Sequence, residues 1–273
     1  MLTTDTLVGS EASFMSSAHL IMGSEDAVLV DALFAKSDAQ RVVDWIKASG
    51  KRLTAVYVTH AHPDHFLGLP VVLEAFPDAR AVALPEIVEE IKELAPTYHR
   101  TYKPVFGEDL ADSWVIPEPL TEPFVDLEGE RLPILRVGPG EATQSSALYI
   151  PSAGAIATGD QIFNGVHVWL VEYRPEGSLA GIETLRSAGP FGTVLPGHGP
   201  AGDAGLLETN EGYIRAFMAA ASAATTKDEG VAAMTEQYGE YSMPVILDFG
   251  MQAAVEGKSY PEIMNAFLSG GSQ

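Results

Sequence analysis

The stretch 58-VTHAHPDHFLGL-69 places His60, His62, Asp64 and His65 within six residues. The whole chain has 7 histidines, so nearly half of them crowd into one short turn. Imidazole and carboxylate are the usual zinc donors where thiolate is absent, and this chain has no cysteine. Alternate residues of an extended segment point the same way, so His60 and His62 can share one ion. Asp64 and His65 belong to the turn after it and can reach a second. Pro63 holds His62 toward extended backbone, and Gly68 permits a tight start to the next segment. A lone histidine is usually a satisfied polar side chain; four donors at one strand end read as metal ligands.

Those donors need elements to position them. The apolar run 27–34 reads as a strand and 37–51 as a helix, with Ser/Asp at its start and Gly50 at its end. The β-branched run 53–60 is a strand that leads straight into the histidines. A helix over 67–77, a strand over 79–85 and a helix over 85–96 come next. Residues 97–126, rich in aromatics and proline, read as an irregular segment that is either packed connection or pocket wall. Strands are expected at 132–138, 146–151, 155–160 and 193–199, and helices at 206–226, 228–238 and 259–268. With no repeat and no linker, residues 1–273 read as one domain of mixed sheets covered by helices, with 206–273 as its C-terminal helical part. Those last helices either cover the sheets or make a homodimer contact.

The T-H-A-H-P-D-H turn resembles the H-x-H-x-D-H signature of the metallo-β-lactamase superfamily, and the likeness extends over roughly residues 15 to 215. The segment VLVDA with Asp31 is similar to the family's early strand and buried aspartate. ATGDQIF is similar to its G-D motif, and LPGHG to its late G-H-G turn. The resemblance implies an α/β fold, the four-layer αβ/βα sandwich, with extra C-terminal helices here. It implies Asp160 as a carboxylate bridging two metals, His198 as a ligand of the second, and Asp31 as a residue that orients the histidine turn.

The chain departs from the family at one ligand. The superfamily usually supplies a third histidine between the histidine turn and the G-D motif. Here the corresponding stretch, 137-VGPGEATQSSALYIP-151, has none. Glu141 is the substitute on offer, since carboxylate is a competent zinc ligand and the alkylsulfatase-like members use glutamate in this region. The other reading of Glu141 is an exposed turn residue. As a ligand it adds negative charge, makes the site less electrophilic, and leans it slightly toward manganese or iron over zinc.

The resemblance implies hydrolysis of a small ester, lactone or related acyl substrate by metal-bound hydroxide. Two zinc ions are expected, with iron or manganese as alternatives, and Asp64 orients or shuttles the proton. No Ser or Cys nucleophile is required, no G-x-S-x-G elbow appears, and G-P-G-E-A-T lacks the lysine and spacing of a phosphate loop. His167, Phe163, Asn164 and Trp169, just after the G-D motif, are expected to contact substrate, and Phe66 to line the mouth. His19 and His99 read as structural or exposed. The fold hosts many chemistries, and two other readings stand: a mononuclear iron oxygenase, and a ligand-binding member without turnover. The glyoxalase II type fits less well, because the third histidine is absent and no basic cluster suited to glutathione is visible.

Composition excludes several partner classes. The net charge is −21 and the pI about 4.5. Such a surface repels phosphate backbones and anionic lipid, so neither nucleic acid nor membrane is an expected partner. Residues 1–15 have no basic, then apolar, signal pattern, and no apolar run reaches the roughly 18 to 20 residues of a membrane span. The expectation is a soluble cytoplasmic protein acting on a small molecule.

Overall fold

The computed structural model describes residues 1–270. Its strands are β1 (Thr3–Val8), β2 (Ser17–Met22), β3 (Asp26–Val30), β4 (Arg52–Tyr57), β5 (Arg80–Ala83), β6 (Glu118–Pro119), β7 (Phe124–Leu127), β8 (Glu130–Arg136), β9 (Ser146–Ile150), β10 (Ala155–Ala157), β11 (Thr193–Leu195) and β12 (Gly202–Asp203). The helices are α1 (Lys36–Ser49), α2 (Pro63–Phe66), α3 (Leu69–Ala75), α4 (Pro85–Phe106), α5 (Pro175–Arg186), α6 (Leu206–Ala223), α7 (Lys227–Tyr238), α8 (Pro244–Glu256) and α9 (Tyr260–Gly270).

The strands form two mixed six-stranded sheets, in the orders β1-β2-β3-β4-β5-β6 and β12-β11-β10-β9-β8-β7. β3, β4, β5 and β6 run parallel, so helices must cross over between them; α1, α3 and α4 are those crossovers. Strands β3 and β9 are buried at nearly every position, as expected of strands covered on both faces. One apolar cluster joins the first sheet (Leu29, Val56), the second (Leu148, Ile150) and the terminal helices (Phe249, Met264). This is the mixed α/β sandwich that the sequence implied.

At one end of the sandwich short backbone bridges lace the sheets together. His60 pairs with Ser145, and His198 pairs with both Ser16 and Phe163. Metal-donor candidates from both sheets therefore meet at one edge. Gly68 is essential to this corner: a Cβ there would lie 2.0 Å from the Ala32 carbonyl oxygen, so any side chain would push the turn away from the end of β3.

The first third of 97–126 is not irregular. α4 runs through Pro96 and Pro104 to Phe106. An interior proline removes a hydrogen bond and crowds the preceding turn. The apolar stripe Ile87, Val88, Ile91, Ala95, Tyr98, Tyr102 nevertheless keeps helical spacing and stays buried, and that burial outweighs the two prolines. The polar edge strand β1, strand β2, the glycine-bearing α5 and the apolar α8 are additions to the elements expected from sequence. No helix among the described residues is long and apolar enough to cross a membrane.

Candidate metal centre

β4 ends at Tyr57 and the chain runs on, extended, to the histidines. His62 sits at φ −75°, ψ 143°, the extended geometry that Pro63 enforces, and α2 then carries Asp64 and His65. Asp31, just after β3 and at φ 60°, organises this turn. Its carboxylate accepts the Thr59 backbone N–H at 2.9 Å, the Thr59 hydroxyl at 2.8 Å and His65 Nδ1–H at 2.9 Å. The Thr59 hydroxyl has donated its proton to Asp31, so it accepts from His60 Nδ1 at 3.0 Å. One buried carboxylate thus fixes two imidazoles with Nε2 forward, the arrangement that orients metal-binding histidines.

His198 reaches the same end state by another route. Its Nδ1 donates to the Phe14 carbonyl at 2.7 Å, and its ring stacks on Phe163 at 4.8 Å between centroids. His62 is reversed. Its Nδ1 faces inward, 3.2 Å from Glu141 Oε2, and its Nε2 faces Glu172 Oε1 at 3.5 Å. Glu172 is held in turn by Trp169, whose Nε1 donates to Oε2 at 2.7 Å.

Asp160 lies between the two donor groups. Oδ1 is 3.2 Å from His65 Nε2, and Oδ2 is 3.2 Å from His198 Nε2 and 3.8 Å from His60 Nε2. Gly197 leaves room for it, since a Cβ there would sit 2.0 Å from Asp160 Oδ1. Asp64 Oδ2 stands 3.3 Å from His198 Nε2 and 3.7 Å from His65 Nε2.

Glu141 is not an exposed turn residue. It is buried in the loop between β8 and β9, and Ser145 Oγ donates to its Oε1 at 2.8 Å. Oε2 is left 3.2 Å from His62 and 3.8 Å from His60. Two groups result, each with donor atoms within 4.8 Å of one another: His60, His62, Glu141 and Asp160, and Asp64, His65 and His198.

The donor set fits divalent cations. His60 Nε2, His65 Nε2, Glu141 Oε2 and Asp160 Oδ1 are buried without a hydrogen-bond partner, and all four belong to these groups. Burying so many polar atoms unpaired is costly; a cation shared among them supplies the missing partner. Charges are correspondingly shifted. Burial pulls His65 down, but Asp160, Asp64 and Asp31 more than reverse this and hold it well above its ordinary value. His62 is raised likewise against burial, by Glu141 and Glu172. Burial pushes the Asp160 carboxyl up, yet His198 and His65 hold it well below the usual range. Glu141 is raised, by burial first, with His62 opposing.

The centre forms the floor of a narrow cleft of about 30 Å³. His62, Asp64, Asp160 and His198 open onto it, and Phe14, Pro63, Tyr102, Trp169, Ile246 and Tyr260 wall it. Of the residues expected to contact substrate, Trp169 alone lies in that wall. Phe66 is fully buried in the core, because α2 turns it away from the mouth. Phe163 lies behind His198 as its stacking partner. Asn164 donates to the Pro200 carbonyl at 2.8 Å and braces the G-H-G turn. His167 is buried in a tyrosine cluster, its Nδ1 2.8 Å from Tyr213 OH. His19 and His99 are structural, bonded to the carbonyls of Pro196 and Ala111. Sequence reasoning missed Glu172, Phe14, Ile246 and Tyr260. None lies in a recognisable motif; Phe14, Ile246 and Tyr260 reach the cleft through folding of distant segments, and Glu172 stands beside Trp169 against His62.

The metallo-β-lactamase superfamily model matches residues 13–200. Among curated relatives, a hydroxyacylglutathione hydrolase of Parasynechococcus marenigrum is 41% identical over 63 residues, 23% of each chain. One of Vibrio parahaemolyticus is 41% identical over 51 residues, 19% of this chain and 20% of that one. The matched stretches thus span less than a quarter of those relatives. Among solved structures, a metallo-β-lactamase from Pontibacter korlensis superposes with a TM-score of 0.59 at 19% identity, covering 73% of this chain and 87% of its own. The FIM-1 enzyme of Pseudomonas aeruginosa, in a mono-zinc form, gives 0.57 at 16% identity, covering 78% and 90%. These likenesses establish the fold, and the extent of the family match, taken with the seven donors gathered at one sheet edge, places the chain in the metallo-β-lactamase superfamily.

Proposed function

We propose that this protein is a metal-dependent hydrolase that cleaves a small ester, lactone or related acyl substrate. The observation that carries the reading is the convergence of seven buried or half-buried donors at the floor of an open cleft. His60, His62 and Glu141 would hold one ion and Asp64, His65 and His198 another, with Asp160 shared between them. Bound there, such ions supply Lewis acidity and lower the pKa of coordinated water toward neutrality. Zinc is the first expectation for a His-rich set; Glu141 in place of nitrogen leaves manganese and iron as competitors. Asp64 is placed to hold or pass a proton, since it opens onto the cleft 3.3 Å from His198. Asp31, Thr59 and Glu172 keep the imidazoles aimed.

A second reading, hydrolysis of a hydroxyacylglutathione thioester, draws on the local identity to the two curated relatives. Metal content by plasma mass spectrometry, on protein purified without chelator, tests the leading reading together with ester turnover. Two equivalents of zinc and hydrolysis support it. One equivalent of iron with oxygen uptake would replace it by the mononuclear oxygenase. Absence of metal would overturn it.

A further inference from the structure

The cleft walls say what the non-reacting part of the substrate must be. Four of the six wall residues are aromatic, and the other two are Ile246 and Pro63. Among the described residues, no Lys or Arg lines the cleft. The charged side chains that line it, apart from the imidazoles, are carboxylates. Asp64 and Asp160 lie on the floor, Glu141 lies behind His62, and Glu172 lies behind His62 and Trp169. Two divalent cations among Asp64, Asp160 and Glu141 would leave one positive charge, which Glu172 beside His62 offsets, so no cationic excess remains near the wall. The polar atoms of the wall offer little to an anion. Trp169 Nε1 is already donated to Glu172, and the Tyr102 and Tyr260 hydroxyls face each other at 3.5 Å. A remote carboxylate on a substrate would lose its water against aromatic rings and gain no side-chain cation in return.

We propose that the site selects acyl substrates whose non-reacting part is uncharged and aromatic or alkyl, and rejects those with a remote carboxylate. This deepens the hydrolase reading and rests on it. Rejection by unpaired charge is an effective route to specificity, because it does not require tight contacts to the preferred ligand. Such selectivity also separates this chain from the glutathione-thioester reading, whose substrate carries carboxylates.

The test compares phenyl acetate with 4-acetoxybenzoate on the metal-loaded protein. The two esters share the reacting group and differ by a carboxylate at the far side of the ring. We expect kcat/KM to favour phenyl acetate by about tenfold or more, and Tyr260→Lys to narrow that ratio by placing a cation in the wall. Equal rates, or preference for the carboxylate, would overturn the inference and leave the hydrolase reading standing. Turnover of neither ester would count against the hydrolase reading; binding then decides the inference. Quenching of tryptophan fluorescence is measured with 4-phenyl-2-butanone and with its ring para-carboxylate, using Trp169→Phe to assign the signal. Tighter binding of the neutral ketone supports the selectivity; equal or tighter binding of the carboxylate overturns it.

Discussion

His19 and His167 are as deeply buried as His60 and His65, yet the two regions treat a buried imidazole in opposite ways. Outside the centre, burial pushes both His19 and His167 down to about 4. His19 has each ring nitrogen matched, Nδ1 to the Thr6 hydroxyl and Nε2 to the Pro196 carbonyl. It is a neutral tie between β1, β2 and the turn after β11. In the centre, carboxylates override burial at His62, His65 and His198 and raise all three. His60 is the exception: burial and then the neighbouring His65 hold it well below its ordinary value. Burial alone therefore does not mark a ligand. The mark is a nitrogen fixed on one side by the protein and left without a partner on the other, among carboxylates that can share a cation.

The largest effect is expected where the two donor groups join. Asp160→Ala removes the carboxylate that faces His60, His65 and His198 together. Metal affinity should fall by more than the roughly 10- to 100-fold typical of losing a ligand's hydrogen-bond partner, and activity should vanish with it. Metal content and turnover of the same preparation check this. Retention of two ions would show that the groups are not joined through this residue.

Glu141→Gln comes next. The amide can still accept from Ser145, but it loses the charge that faces His62. The ion held by His60 and His62 should weaken, taking metal content from two equivalents toward one. Glu141→His should keep both, because imidazole replaces carboxylate in kind. If the histidine variant binds less metal than the glutamine variant, Glu141 is a structural carboxylate and the comparison between regions loses its sharpest member.

How much of this was visible in the sequence depends on how local each signal is. His60, His62, Asp64 and His65 lie on one turn, so their spacing alone carried them. Asp160 and His198 lie in short motifs that the family resemblance supplied. Glu141 was legible only as a gap: a loop in the right order with no histidine and one carboxylate. The strand–helix alternation of the first half could be read because each element is amphipathic or wholly apolar over a single period. The continuation of α4 could not, because Pro96 and Pro104 are strong local stop signals and the burial that overrides them is tertiary. The cleft wall fared worst. Phe14, Trp169, Ile246 and Tyr260 come from four separate segments, and nothing local distinguishes them from Phe66 or Phe163, which went to the core.

A smaller effect belongs to Glu172. It is the outer partner of His62, the one imidazole turned the other way. Glu172→Ala should lower affinity for the ion at His62 by roughly tenfold, the low end for such partners, while Glu172→Gln, which keeps an acceptor for Nε2–H, should recover part of it. Competition against a chelator reads this directly, apart from activity. No change in either variant would mean that Trp169 and the backbone aim His62 unaided.

The smallest effect tests the other side of the comparison. His19 is held down to about 4 in the folded protein, against about 6.5 in an unfolded chain. Between those values the unfolded chain binds a proton that the folded one does not. Stability from this residue is therefore fully present above about pH 6.5 and is lost as pH falls toward 4. The depression corresponds to at most ~3 kcal/mol across that window. His19→Gln keeps a donor to the Pro196 carbonyl and has no proton to gain. Its denaturant midpoint should fall less steeply over the window, even though it starts lower at pH 7 for want of the Thr6 contact. The ligand histidines titrate in both proteins, so the difference in slope isolates His19. Parallel slopes would mean that the imidazole is protonated in place, and that the region around β1 and β2 tolerates a buried charge as the centre does.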